Sequence, residues 1–234
     1  FRTMMEDEHT LTTLVKEMYP NLPYFMFGHS MGSFIARDYI TKYGDELTGV
    51  TLCGTSGVFP HVEEGIDLLE KEVAAGHGED PATEAPNVVM GWMFGRCDEE
   101  IKLGNEWICS DPCVQYDHAH DPFDAFTKPT TNRSFLYFCQ MITAITGADW
   151  AKNVPTELPI FNIAGDQDPV GQYGEGVYQV SNWLTESGHA VETKLYPGYR
   201  HEIHNYEDLK DEVVEDIICF FDAQLDFDDD DDEE

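Results

Sequence analysis

The chain has 234 residues, of which 46 are acidic and 13 basic, giving a formal net charge of −33. So acidic a surface repels nucleic-acid phosphates and anionic bilayers, and no apolar stretch is long enough for stable membrane insertion, so neither nucleic acid nor a membrane is an expected partner. Eight of the nine residues 226–234 are acidic, and most of the charge still lies upstream of them. This tail has no core-forming pattern and reads as a solvated, disordered end.

In chain order, Leu11, Leu14, Val15 and Met18 recur at helical spacing, and Pro20 and Pro23 then bound an apolar run, Tyr24 to Phe27, that reads as a strand. Gly28-His29-Ser30-Met31-Gly32 follows at once, in the form Gly-x-Ser-x-Gly. Between a strand and a helix, this pattern is a sharp turn with a serine at its apex, and Gly28 and Gly32 are expected to be needed because a Cβ would collide there. The helix from Met31 to Tyr43 carries Phe34, Ile35, Tyr39 and Ile40 at helical spacing, with Gly44 as its cap. Val50 to Cys53 is the next strand, and this alternating order implies a parallel sheet with right-handed crossovers.

Residues 57–155 are too many for a simple connection and read as a helical cap, with helices over Val62 to Ala75, Glu99 to Cys109 and Arg133 to Thr146. The last is apolar nearly all round. It either buries itself between cap and core or turns one face to an acyl-chain channel above Ser30. Cys109, Cys113, His118 and His120 superficially suggest zinc, but their spacing fits no common zinc pattern and Pro112 is expected to break the helix there. The six cysteines, Cys53, Cys97, Cys109, Cys113, Cys139 and Cys219, instead read as reduced, buried thiols of a cytoplasmic protein. No metal and no cofactor are expected.

Past the cap, Pro159 to Ala164 reads as a buried strand and Gly165 to Gly171 as a loop. A helix from about Tyr173 to Ser187 has Val177, Val180, Trp183 and Leu184 on one face, and Val191 to Tyr196 is a further strand. Pro197-Gly198-Tyr199-Arg200-His201 follows, and a final helix from Glu207 to Leu225 is expected to face Leu209, Val213, Ile217, Ile218 and Phe221 inward. The run Asp166 to Gly171 resembles the start of a calcium loop, but Val170 and Val177 stand where oxygen ligands are required. Ser30, the Asp166/Asp168 pair and His201 each come just after a strand end, where parallel sheets collect functional groups. Asp166 competes with Asp168 as the acid but better suits a turn cap, and His204 competes with His201. His189 reads as a loop residue, and His29 as a group packing beneath the turn.

The stretches FMFGHSMGSFIARDYI, IAGDQDPVGQYGEGV and LYPGYRHEIHNY resemble an α/β-hydrolase of the monoacylglycerol lipase and lysophospholipase group, whose members share wider serine-aminopeptidase-like families. The resemblance implies a mostly parallel sheet flanked by helices with an inserted helical cap. It also implies a Ser-Asp-His set carried by Ser30, Asp168 and His201, an oxyanion donor at the Met31 N–H, and hydrolysis of small acyl esters. The spacing of Trp107, Asp111, Tyr116 and Asp121-Pro122 echoes a cap pattern of the same proteins. The expected division is a hydrolase core over 1–56, a cap over 57–155, the second core part over 156–225 and the tail over 226–234. The chain opens in a helix, before the elbow strand, so it is expected to be the C-terminal part of a longer protein whose earlier strands and second oxyanion donor lie upstream. A proline-iminopeptidase-like peptidase and a non-catalytic binding module are the other functions considered.

Overall fold

Three largely apolar runs and the mixed run Val191–Tyr196 become four parallel strands, β1 (Phe25–His29), β2 (Gly49–Cys53), β3 (Ile160–Gly165) and β4 (Val191–Tyr196), hydrogen-bonded in the order β1-β2-β3-β4. They belong to a computed structural model that describes residues 1–96, 103–123 and 129–225. The acidic tail, Cys97 and the first part of the helix expected over 99–109 lie outside the described residues. Strands β2 and β3 are buried along their whole length, as continuous apolar runs in a parallel sheet are. In register, His29 faces Cys53, Cys53 faces Ile163 and Gly165 faces Tyr196, so all four strands end at one rim.

The alternation of side chains across the sheet makes two apolar layers. Val50, Leu52 and Ile160 join one with α2 (Met31–Tyr43) and α8 (Glu175–Glu186), while Cys53, Phe161 and Ile163 join the other with α9 (Lys210–Asp222). Helix α1 (Arg2–Met18) packs on α2. Between β2 and β3 lie α3 (Val62–Ala74), α4 (Ala85–Met90), α5 (Pro112–His120), α6 (Asn132–Ala144) and the short α7 (Ala148–Ala151). No helix among the described residues is long and apolar enough to cross a membrane.

Several expectations need correction. The apolar stripe of α1 faces solvent: Leu11, Leu14 and Met18 are exposed, and Met5 and Thr12 are the buried contacts. Residues 103–109 form turns rather than a helix, because Gly104 takes φ +84° and the Glu106 carboxylate accepts the N–H groups of Leu103 and Gly104. Pro112 does not interrupt a helix but opens α5 at its first turn, where its missing N–H costs nothing, with the Asp111 carboxylate capping Cys113 N–H. On α9 the buried face is Val213 and Phe220, two turns apart, and Ile218 is exposed. Cys113 and Cys219 are exposed rather than buried.

The insertion between β2 and β3 is fastened to the sheet core by Arg37, a residue of α2 that is almost wholly buried. Its guanidinium donates to Thr55 Oγ1, to the Ser56 carbonyl and, across to the far end of the insertion, to the Ile145 carbonyl. It stacks 4.5 Å from the Trp150 ring, whose indole N–H donates back to the Arg37 carbonyl. Burial lowers its pKa to about 9, which leaves it charged at neutral pH, with hydrogen bonds and an aromatic face in place of water. Arg37→Ala strands these acceptors and opens a cavity, and is expected to lower unfolding free energy by about 3 kcal/mol or more. Arg37→Met, which refills the space over Trp150, should recover part of that loss in urea titrations.

Candidate active site

At the end of β1 the chain reverses into α2 through Ser30, which holds φ 54° and ψ −121°. Such a conformation costs an L-residue about 1–3 kcal/mol and persists only where its surroundings impose it. Ser30 is the N-cap of α2, yet its side chain makes no capping hydrogen bond, so the hydroxyl is not consumed by the helix. Its N–H donates to the Cys53 carbonyl at 3.0 Å, tying the turn to the end of β2. Met31 is the first helical residue, and its N–H has no acceptor within the helix. The two elbow glycines are not equivalent. A Cβ at Gly28 would lie 2.5 Å from the Gly32 carbonyl oxygen, whereas a Cβ at Gly32 would meet nothing within 4 Å. The steric demand expected of both belongs to Gly28 alone.

Asp168 and His201 are brought together and Asp166 is not. Asp168 is fully buried, and both its oxygens lie 3.0 Å from His201 Nδ1. Oδ1 also accepts the Val170 N–H, which fixes the carboxylate in its loop. Asp166 instead accepts the Gly198 N–H at 2.7 Å, holding the turn after β4 against the loop after β3. His201 is buried, and its other nitrogen, Nε2, has no hydrogen-bond partner among the described residues. The Ser30 hydroxyl is therefore not bonded to it in this state.

Two glycines not singled out in the sequence set the position of His201. At Gly54, directly after β2 and at φ +61°, a Cβ would lie 2.8 Å from His201 Cε1, so the imidazole rests on bare backbone. At Gly165 a Cβ would lie 2.0 Å from the Tyr199 carbonyl oxygen, so the His201 loop crosses the end of β3 at backbone distance. Periodicity carries no signal for either. The available clue is a glycine at the last residue of a strand or just past it, where close backbone approach is its usual reason.

The remaining histidines divide. His29 donates from Nε2 to the His201 carbonyl at 3.3 Å, and the two rings lie 4.6 Å apart. His204 does not replace His201; its ring sits 4.5 Å from that of His29, on the short 3-10 turn Ile203–Asn205. His189 is a loop residue, as expected, and is buried between the Leu184 and Val154 carbonyls. From the insertion, Trp107 packs 5.4 Å from the His201 ring, Ile108 accepts the Glu202 N–H, and His118 pairs with Glu202 at 2.8 Å. The Tyr206 hydroxyl accepts the N–H groups of both Ser110 and Arg200.

Beside Met31 opens a cavity of about 790 Å³ with a mostly apolar wall, including Met4, Met90, Phe135, Tyr137 and Phe138. Helix α6 both buries itself and lines this cavity. Leu136, Cys139, Met141 and Ile142 are buried, while Phe135 and Phe138 also reach the cavity.

Residues 1–208 match the serine aminopeptidase, S33, family, and the chain belongs to it. A monoacylglycerol lipase of Mycolicibacterium smegmatis is 25% identical over 223 residues, covering 94% of this chain and 70% of its own. A thermostable carboxyl esterase from Bacillus coagulans, solved with glycerol, is 55% identical with a TM-score of 0.90, over 94% of this chain and 71% of that one. A lipase solved in an open form is 32% identical with a TM-score of 0.82, over the same shares of the two chains. The architecture is that of the α/β-hydrolases.

Two predictions follow from the elbow. Gly28→Ala should cost about 2–3 kcal/mol through its clash with the Gly32 carbonyl, whereas Gly32→Ala should change stability by less than about 1 kcal/mol. Urea midpoints of the two variants compare them directly. The second concerns acid. Burial first, and then the charge of His201, pushes the pKa of His29 down to about 2 from its ordinary 6.5. Below pH 6.5 the unfolded chain takes a proton that folded His29 refuses, so stability is whole above that pH and falls as pH drops. The His29 contribution to that loss should reach about 2 kcal/mol by pH 5. His29→Gln should flatten the slope by about one proton in unfolding titrations between pH 7 and 5.

Proposed function

We propose that this member of the S33 family is a serine ester hydrolase of the monoacylglycerol lipase kind, with Ser30 as nucleophile, His201 as base and Asp168 as orienting acid. The observation that carries this reading is the buried Asp168–His201 contact, in which the carboxylate occupies Nδ1 and leaves Nε2 without a partner. That arrangement fixes the tautomer whose Nε2 lone pair can take a proton from the serine. Ser30 Oγ attacks the ester carbonyl carbon while His201 accepts its proton, and Asp168 stabilises the resulting imidazolium. The oxyanion forms beside the Met31 N–H, at the positive end of α2. His201 then gives its proton to the departing alcohol, and water, activated by the same histidine, releases the acid from the acyl-serine.

The cavity beside Met31 suits the acyl chain, and residues 57–155 act as the cap over it. Burial of each methylene contributes about 0.8 kcal/mol. The peptidase alternative needs a carboxylate to hold a substrate's terminal ammonium, and the described residues that line the cavity include none.

A fluorophosphonate probe should add once to the full chain, at Ser30, and not at all to Ser30→Ala. Medium-chain p-nitrophenyl esters should be turned over at least about tenfold faster than the acetate. Equal labelling of Ser30→Ala would remove the nucleophile, and a rate falling steadily from acetate to decanoate would remove the acyl channel.

A further inference from the structure

Behind the His201 ring, on the α9 side of the sheet, three side chains with metal-binding chemistry converge from three separate segments. His29 ends β1, Cys53 ends β2 directly opposite it in the ladder, and His204 stands on the short turn after His201. One ligand atom from each lies within 4.8 Å of the other two. Zinc bonds to nitrogen and sulfur, about 2.0–2.3 Å long, set tetrahedral ligand atoms about 3.5 Å apart, so closure takes shifts of about 1 Å. The rotamers of two imidazoles and one short turn can supply this without moving the strands.

The details suit a ligand set. Cys53 is a free, buried thiol. His204 Nδ1 is buried with no hydrogen-bond partner, a position that nothing in the proposed mechanism uses. His29 already donates its Nε2–H to a backbone carbonyl, the arrangement that orients most metal-binding histidines and leaves the other nitrogen with its lone pair. No carboxylate belongs to the set, which excludes the hard, oxygen-seeking calcium and magnesium and favours a thiophilic ion.

We infer that His29, Cys53 and His204 form a site for a thiophilic divalent cation, of which zinc is the best fit, and that filling it slows the reaction at His201. Binding exchanges the Cys53 thiol proton for the metal and releases that proton to solvent. The His29 ring packs 4.6 Å from that of His201 and donates to its carbonyl, so the shift of about 1 Å that closes the site displaces the His201 ring from the position in which Asp168 holds it. The binding half stands by itself, and the braking half rests on the hydrolase reading.

The test uses the full chain titrated with cobalt(II), read by the near-ultraviolet absorption of a thiolate-to-cobalt bond, and with zinc by calorimetry. One equivalent should bind, with the absorption lost in Cys53→Ala and affinity down more than about tenfold in His204→Gln. Cys113→Ser/Cys219→Ser, which removes the two thiols exposed among the described residues, should bind as the parent does. Far-ultraviolet circular dichroism confirms that each variant is folded. Absence of the thiolate band in the parent, or a band that survives Cys53→Ala, would overturn the site. Zinc should slow p-nitrophenyl ester turnover more than about tenfold, with the midpoint of binding. A filled site with unchanged turnover would overturn the brake. Absence of turnover in the metal-free chain would count against the hydrolase reading, and the cobalt titration would still decide the site.

Discussion

The constraint on which the site depends is the approach of backbone to backbone at the rim of the sheet. His201 reaches Asp168 because the loop that carries it crosses β3 at Gly165, and its ring settles on Gly54, with no side chain between in either place. A methyl group at Gly165 would stand 2.0 Å from a carbonyl oxygen, a distance that no rotamer change relieves. The pairing of imidazole and carboxylate is thus imposed from outside the pair. Strand register supplies half of this: Gly165 lies opposite Tyr196, so both loops leave the sheet at the same height. The Asp166 carboxylate supplies the rest, holding the second loop to the first through Gly198.

This arrangement explains which parts were legible in the amino-acid order. The four strands, α2, α8 and the elbow could be read because local pattern and tertiary role agree there. A run that is apolar throughout is what a buried parallel strand requires, and Gly28 must lack a Cβ wherever the turn is made. That Ser30, Asp168 and His201 share one rim was legible for a related reason, since each follows a strand end and parallel strands end together. Gly54 and Gly165 were not, because their requirement comes from a loop distant in sequence. The elements of the insertion failed in another way. Residues 103–109 look helical by composition, but the Glu106 carboxylate captures the N–H groups of Leu103 and Gly104 and makes a turn. Local capture by a side chain competes with the helix and leaves no trace in apolar spacing. The face of α9 was misassigned at Ile218 because an aromatic residue seven positions after Val213 takes the buried place.

Charge acts on a different level from packing. With a formal net charge of −33, self-repulsion is spread over the surface, and the exposed ion pairs of lysines with single carboxylates offset little of it. The interior is organised on other terms. The buried Arg37 has carbonyls, a hydroxyl and an indole rather than a carboxylate, and His29 is held neutral by burial and by the neighbouring histidine. Most acids stay outside, Arg37 is held by neutral dipoles, and Asp168 is the buried carboxylate that pairs with a buried histidine.

These two levels meet where the insertion touches the His201 loop. Trp107 packs on the imidazole, Ile108 accepts the Glu202 N–H, and the Tyr206 hydroxyl accepts from Ser110 and Arg200 at once. On the opposite side of the site, α6 closes the cavity beside Met31 and joins the core through Ile145 and Arg37. The segment that lines the cavity is thereby part of the scaffold that holds His201. Within the insertion, Phe135 and Phe138 of α6 line the cavity. Trp107 of the insertion and Tyr206, beyond β4, instead bear on the position of the His201 loop. The insertion thus meets the site at two places, the cavity wall on α6 and the His201 loop at residues 107–110.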